Sequence, residues 1–123
     1  DLEGPLLDIG SGNGSPGLVL GLLRPDLVVT LLEPRQKRWA FLREAGRAAG
    51  RPEIEVLRAR HDGYSGPPAQ TVTFRALALS LRDVAGLVVP AGRVVVWGAR
   101  PPDTAGFRAE ARLGADTHVF RRD

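Results

Sequence analysis

Apolar positions along this chain alternate between short continuous runs and longer stripes at helical spacing. Pro5 to Ile9 is a nearly continuous apolar run bounded by glycines, the pattern of a strand buried on both faces and of a central strand. Leu18 to Leu23 then reads as a helix, stopped by Arg24-Pro25-Asp26, since proline disfavours helix in the residue before it. Leu27 to Leu32 predicts a second strand with Glu33 as its last residue. Lys37 to Ala49 carries Trp39, Leu42, Ala45 and Ala49 at helical spacing and ends at Gly50 before Pro52, so it predicts a second helix. Ile54 to Leu57 and Gln70 to Arg75 predict the third and fourth strands, joined through the turn-rich Ser65-Gly66-Pro67-Pro68. Leu77 to Val88 has helical spacing ended by Pro90-Ala91-Gly92, and Arg93 to Trp97 predicts a fifth strand. Ala109 to Leu113 and Thr117 to Phe120, around Gly114-Ala115-Asp116, have the signature of a closing hairpin. Strands and helices therefore alternate until two final strands pair directly. This predicts an α/β fold with a mostly parallel sheet and a C-terminal antiparallel hairpin.

The break after the first strand changes the picture from fold to function. Leu6-Leu7-Asp8-Ile9-Gly10-Ser11-Gly12-Asn13-Gly14-Ser15-Pro16-Gly17 reads as strand, tight loop and helix start. Glycines there permit positive φ and close approach of a ligand to the main chain, while the helix start offers unpaired N–H groups. Pro16 suits a first helical turn, where its missing N–H costs nothing. Gly12-x-Gly14-x-x-Gly17, with Glu33 roughly 20 residues on, matches a dinucleotide fingerprint. The longer Asp8-x-Gly10-x-Gly12-x-Gly14, with an acid two residues before the first glycine, matches a loop for S-adenosylmethionine. Spacing alone does not separate the two ligands. Either would place a ribose near Glu33.

Composition narrows the classes. At 123 residues the chain is sized for one domain, which leaves no room for the second, substrate-binding domain that a dehydrogenase usually carries. No apolar run approaches the roughly 18 residues of a membrane span and no signal-peptide pattern is present, so a soluble cytoplasmic protein is expected. Cys is absent, which excludes disulfides, thiolate metal sites and a cysteine nucleophile, and two separate His do not by themselves build a metal site. Met is also absent and the first strand begins within a few residues, so an upstream segment is expected to be missing. The net charge is +3, and sixteen of the seventeen cations are Arg, which pairs with phosphate and stacks on bases. Arg35, Lys37 and Arg38 crowd the start of the second helix against its dipole, an arrangement suited to an anion such as RNA phosphate.

These stretches together resemble one family, the bacterial small-subunit ribosomal RNA guanine-N7 methyltransferases (RsmG, or glucose-inhibited division protein B). The carriers are the loop from Leu7 to Gly17, Arg24-Pro25-Asp26, Thr30-Leu31-Leu32-Glu33, Lys37-Arg38 and Phe41-Leu42. Arg60-His61-Asp62 stands where the family has Arg-Val-Glu, and Arg75-Ala76-Leu77-Ala78 is similar to its Arg-Ala-Phe-Ala. The resemblance implies a class I S-adenosylmethionine-dependent, Rossmann-like methyltransferase sheet, with S-adenosyl-L-methionine as cofactor and 16S rRNA or the small ribosomal subunit as partner. It implies that Gly10, Gly12, Gly14 and Ser15 line the cofactor loop, that Glu33 takes the ribose hydroxyls, that His61 and Asp62 sit at the adenine, and that Arg75 closes the site. Two departures stand out: the family's N-terminal helical segment is missing, and Val96-Trp97-Gly98-Ala99 lacks the Lys that the family has after the fifth strand.

The residues also constrain the chemistry. In-line transfer from a sulfonium to a lone pair such as guanine N7 is catalysed largely by positioning and needs neither a general base nor a metal. A cytosine-C5 enzyme would need a Cys nucleophile, and none is present. The Asn/Asp-Pro-Pro-aromatic motif of exocyclic-amine enzymes is replaced after the fourth strand by Phe74-Arg75-Ala76-Leu77.

Overall fold

The computed structural model describes residues 2–10, 17–75, 79–101, 103–114 and 116–123. Seven strands form one sheet: β1 (Leu6–Ile9), β2 (Val29–Leu32), β3 (Glu55–Leu57), β4 (Ala69–Arg75), β5 (Val88–Trp97), β6 (Phe107–Leu113) and β7 (Thr117–Arg122). Their spatial order is β3-β2-β1-β4-β5-β7-β6. β1 lies between β2 and β4, all three parallel, and β3 and β5 extend the parallel set on either side. β7 runs antiparallel to both β5 and β6. The expected parallel sheet with a terminal hairpin is thus realised. The order reverses beside β1, and ligands of open α/β sheets bind outside the carboxyl ends of strands at such a switch point.

Side-chain alternation divides the core between the two faces. Leu6, Val29 and Leu31 pack with Leu18 of α1 (Gly17–Leu23), Leu42 of α2 (Gln36–Ala48) and Ile54 on one face. Leu7, Ile9, Val72, Phe74, Val94, Val96 and Phe120 pack on the other with Leu81 and Val84 of α3 (Leu81–Val84). All four residues of β1 are buried, as a nearly continuous apolar run predicts, and Asp8 is the one charged residue among them. The buried hydroxyls of the central strands are satisfied: Thr71 Oγ1 donates to the Glu3 carbonyl (2.7 Å) and Thr73 Oγ1 to Asp8 Oδ1 (2.5 Å).

One expectation is corrected. Leu77 and Ala78 lie outside the described residues; over the rest of the helix predicted for 77–88 the chain forms the single turn of α3 followed by a 3-10 turn, Ala85–Leu87, and Val88 already belongs to β5. Ser80 starts the helix late through a capping box: its hydroxyl accepts from the Asp83 N–H while the Asp83 carboxylate accepts from the Ser80 N–H. Leu81, Val84 and Val88 are all fully buried, so helical spacing was met by a short helix running into a strand. Pro90-Ala91-Gly92 does not end a helix but bulges out of β5, because the register passes from Ala69 opposite Val88 to Thr71 opposite Arg93. Ala91 takes φ 65° there, and a Cβ on Gly92 would meet the Val89 and Gln70 carbonyls at 2.8 and 2.9 Å.

Candidate functional site at the carboxyl edge of the sheet

Gly10 leaves β1 with φ 68°, a conformation that favours glycine, and its N–H donates to the Leu32 carbonyl of β2 at 2.9 Å. This bond ties the start of the glycine-rich loop to the end of the neighbouring strand. Gly12, Gly14 and Ser15 lie outside the described residues. The loop's far end is fixed by Asp8, which is fully buried beside the first residue of α1: a Cβ added to Gly17 would overlap the Asp8 carboxylate. Asp8 therefore holds β4, through Thr73, and abuts the helix start.

Glu33 follows β2 at the same edge. Only 1% of it is exposed, its N–H donates to the Leu57 carbonyl (3.0 Å), and its Oε2 accepts from the Arg35 N–H (2.7 Å). That last bond sets an anionic group at the N-terminus of α2, a helix with no acidic residue in its first turn. Arg35, Lys37 and Arg38 are all exposed around it. The two cations farther along α2 are engaged elsewhere: Arg43 lies over the Trp39 ring (4.8 Å) and Arg47 pairs with Glu44 (3.3 Å).

His61 and Asp62 occupy a 3-10 turn, His61–Gly63, after the carboxyl end of β3. Asp62 is exposed and pairs with Arg60 at 3.5 Å, while His61 is half-buried. The Asp83 carboxyl is held below the usual carboxylate range, first by the hydrogen bond from the Ser80 N–H, with smaller contributions from the Ser80 hydroxyl, His61 and Arg82. Arg75 ends β4, exposed and in register with Trp97 of β5. Trp97 was missed as a candidate: its indole N–H is buried without a partner among the described residues. A tryptophan closing the run Val94-Val95-Val96 was the available signal.

Topology thus assembles Gly10, Glu33, His61, Asp62 and Arg75 along one edge from residues up to 65 apart in sequence. Among the described residues no cluster of three His, Asp or Glu side chains is placed to hold a metal, and no helix is long and apolar enough to cross a membrane.

Fold and edge define the class: the open α/β sheet of the class I methyltransferases. TrmN from Thermus thermophilus superposes with a TM-score of 0.75 at 22% identity, over 95% of this chain and 43% of that one. MtNAS, solved in complex with S-adenosylmethionine, gives 0.76 at 15% identity, over 98% of this chain and 55% of that one. Within that class, the chain belongs to the GidB family, rRNA small subunit methyltransferase G, whose family model matches residues 2–95. Ribosomal RNA small subunit methyltransferase G of Kineococcus radiotolerans is 36% identical over 124 residues, covering 99% of this chain and 47% of the relative. The Halorhodospira halophila protein of the same name is 38% identical, over 94% of this chain and 57% of its own length. That of a Nocardioides species is 49% identical over 78 residues, 63% of this chain and 31% of the relative. The chain therefore spans about half, or less, of the length of these relatives.

Proposed function

We propose that this chain is the cofactor-binding, methyl-transferring part of a small-subunit ribosomal RNA methyltransferase that acts on guanine N7 of 16S rRNA. The observation that carries the reading is the buried Glu33 carboxylate beside the Gly10 turn, at the strand-order switch of a chain of the GidB family. The donor set suits S-adenosyl-L-methionine. An ionised carboxylate offers about four acceptor positions, enough for a ribose diol beside the Arg35 N–H. The left-handed turn at Gly10 suits a backbone that a ligand approaches closely. Gly12, Gly14 and Ser15 complete the loop in this reading, and His61 and Asp62 border the adenine.

S-adenosyl-L-methionine supplies an electrophilic methyl group on its sulfonium. The chain's own residues then have two tasks, to orient the cofactor and to hold guanine N7 in line. Glu33 and the Gly10 turn perform the first, and Arg75, at the end of β4, borders the place of the second. No residue has to remove a proton, because N7 attacks through a free lone pair. Arg35, Lys37, Arg38 and Arg75 flank the edge and contact RNA phosphates in this reading, which also has helices upstream of this chain packing against the same domain. Exposed Val19 and Leu22 on α1 support such packing, whereas Trp39 is held within the domain by its hydrogen bond to the Val56 carbonyl (3.0 Å).

The test compares this chain with an upstream-extended version for transfer of labelled methyl groups to small ribosomal subunits. Product in the 16S rRNA as 7-methylguanosine is expected at least from the extended version. Methyl transfer to another base, or none from either, overturns the reading.

A further inference from the structure

A groove of about 750 Å³ opens between the segment leaving β5 and the β6–β7 hairpin, well within the roughly 300–1,000 Å³ of small-molecule sites. Its two lips are joined at the carboxyl edge, where the Gly98 N–H donates to the Asp116 carbonyl. Trp97, the residue before this junction, is opposite Arg75, so the groove begins about two strand spacings, roughly 10 Å, from β4. Phe120, only 2% exposed, forms part of its wall, and the Arg100 guanidinium lies over that ring at 5.8 Å. A ring behind one face of a guanidinium holds the planar cation for stacking on its other face.

Charge within the groove is less balanced than its composition suggests. Glu110 is engaged by both Arg93 (2.8 Å) and Arg121, and these bonds hold its carboxyl below the usual range. Among the described residues no carboxylate pairs with Arg100 or Arg112. Arg112 is braced instead by its Nε, which donates to the Gly114 carbonyl at 3.2 Å. The lining therefore combines a guanidinium backed by a ring with a second that no carboxylate pairs, Asp116 being the remaining acidic residue of the lining, and Ala109 and Ala111 are the small side chains between them.

We propose that this groove binds a single-stranded RNA nucleotide that flanks the one presented for methylation, with its base stacked on Arg100 and its phosphate held by Arg112. The inference rests on the RNA-methyltransferase reading above and extends it to a part of the chain that the cofactor does not use. Arginine planes stack on unpaired RNA bases, and an uncompensated arginine neutralises a backbone phosphate.

The experiment is a titration of the isotope-labelled chain, followed by backbone amide resonances, with a single-stranded RNA hexamer and separately with S-adenosylhomocysteine. RNA is expected to shift Ala99, Arg100, Ala111, Arg112 and His118, and S-adenosylhomocysteine to shift Gly10 and Glu33. Arg112→Ala should lower the log–log salt slope of RNA binding by about 0.7, and Arg100→Ala should weaken binding about tenfold, with S-adenosylhomocysteine affinity unchanged in both. RNA shifts elsewhere or nowhere, or RNA affinity unchanged in both variants, overturn the groove while a response at Gly10 and Glu33 leaves the cofactor reading standing. Groove shifts with no response to S-adenosylhomocysteine support the groove as an RNA site and overturn the methyltransferase reading.

Discussion

Two carboxylates carry the account at the residue scale, in different ways. Glu33 is buried at the edge with its Oε2 on the Arg35 N–H, so Glu33→Ala removes both a charged acceptor and the partner of that amide. Losing a charged hydrogen bond costs about 1.5–3 kcal/mol, so S-adenosylhomocysteine affinity should fall roughly 10- to 150-fold in calorimetry. An unchanged dissociation constant would remove Glu33 from the site. Asp8 acts by shape: a Cβ at Gly17 would overlap its carboxylate. Gly17→Ala gains at most about 1 kcal/mol of helix propensity, while overpacking costs about 1–3 kcal/mol. The variant should melt at a lower temperature than the parent chain, and a higher one would contradict the contact. The turn at Gly10 and the place of Glu33 at the end of β2 were legible because glycine and strand-end spacing carry a backbone signal. Thr73 and Trp97 were not, since only strand register brings Thr73 to Asp8 and Trp97 beside Arg75.

The elements show where pattern reading succeeds and where it slips. Nearly continuous apolar runs marked β1 and β2, and turn residues marked the β6–β7 hairpin, because burial on both faces and tight reversal each demand particular residue types. The region after β4 misled because buried residues three and four apart serve a helix equally well as a one-turn helix followed by a strand. The deciding signal was Ser80 with Asp83, a capping pair that fixes where α3 starts. Ser80→Ala should cost about 1 kcal/mol, visible as a fall of about 4 °C in melting temperature. Asp83 and Glu110 are both held below their ordinary values, so their contributions are present above the unfolded carboxylate range near 4 and are lost as pH falls through the folded values. Melting temperature should therefore drop between pH 5 and pH 3, less steeply in Asp83→Asn and Glu110→Gln. Equal slopes in all three chains would show that neither group is coupled to folding.

At the scale of the whole molecule, topology gathers the described candidate residues onto one edge. Cations after β2, at the start of α2 and at the end of β4 flank the Gly10 turn, although the sequence separates them by up to 40 residues. If they meet RNA, Arg35→Ala combined with Arg38→Ala should weaken binding and flatten its salt dependence by about 0.7 per lost phosphate contact. An untouched slope would mark them as solvated charges. The central claim is that this edge binds S-adenosylmethionine, and calorimetric titration of the chain tests it most directly, with S-adenosylmethionine and NAD run side by side. The account predicts saturable one-to-one binding of S-adenosylmethionine, weakened by Glu33→Ala, and no heat with NAD. Binding of NAD in its place, or S-adenosylmethionine binding indifferent to Glu33, would contradict it.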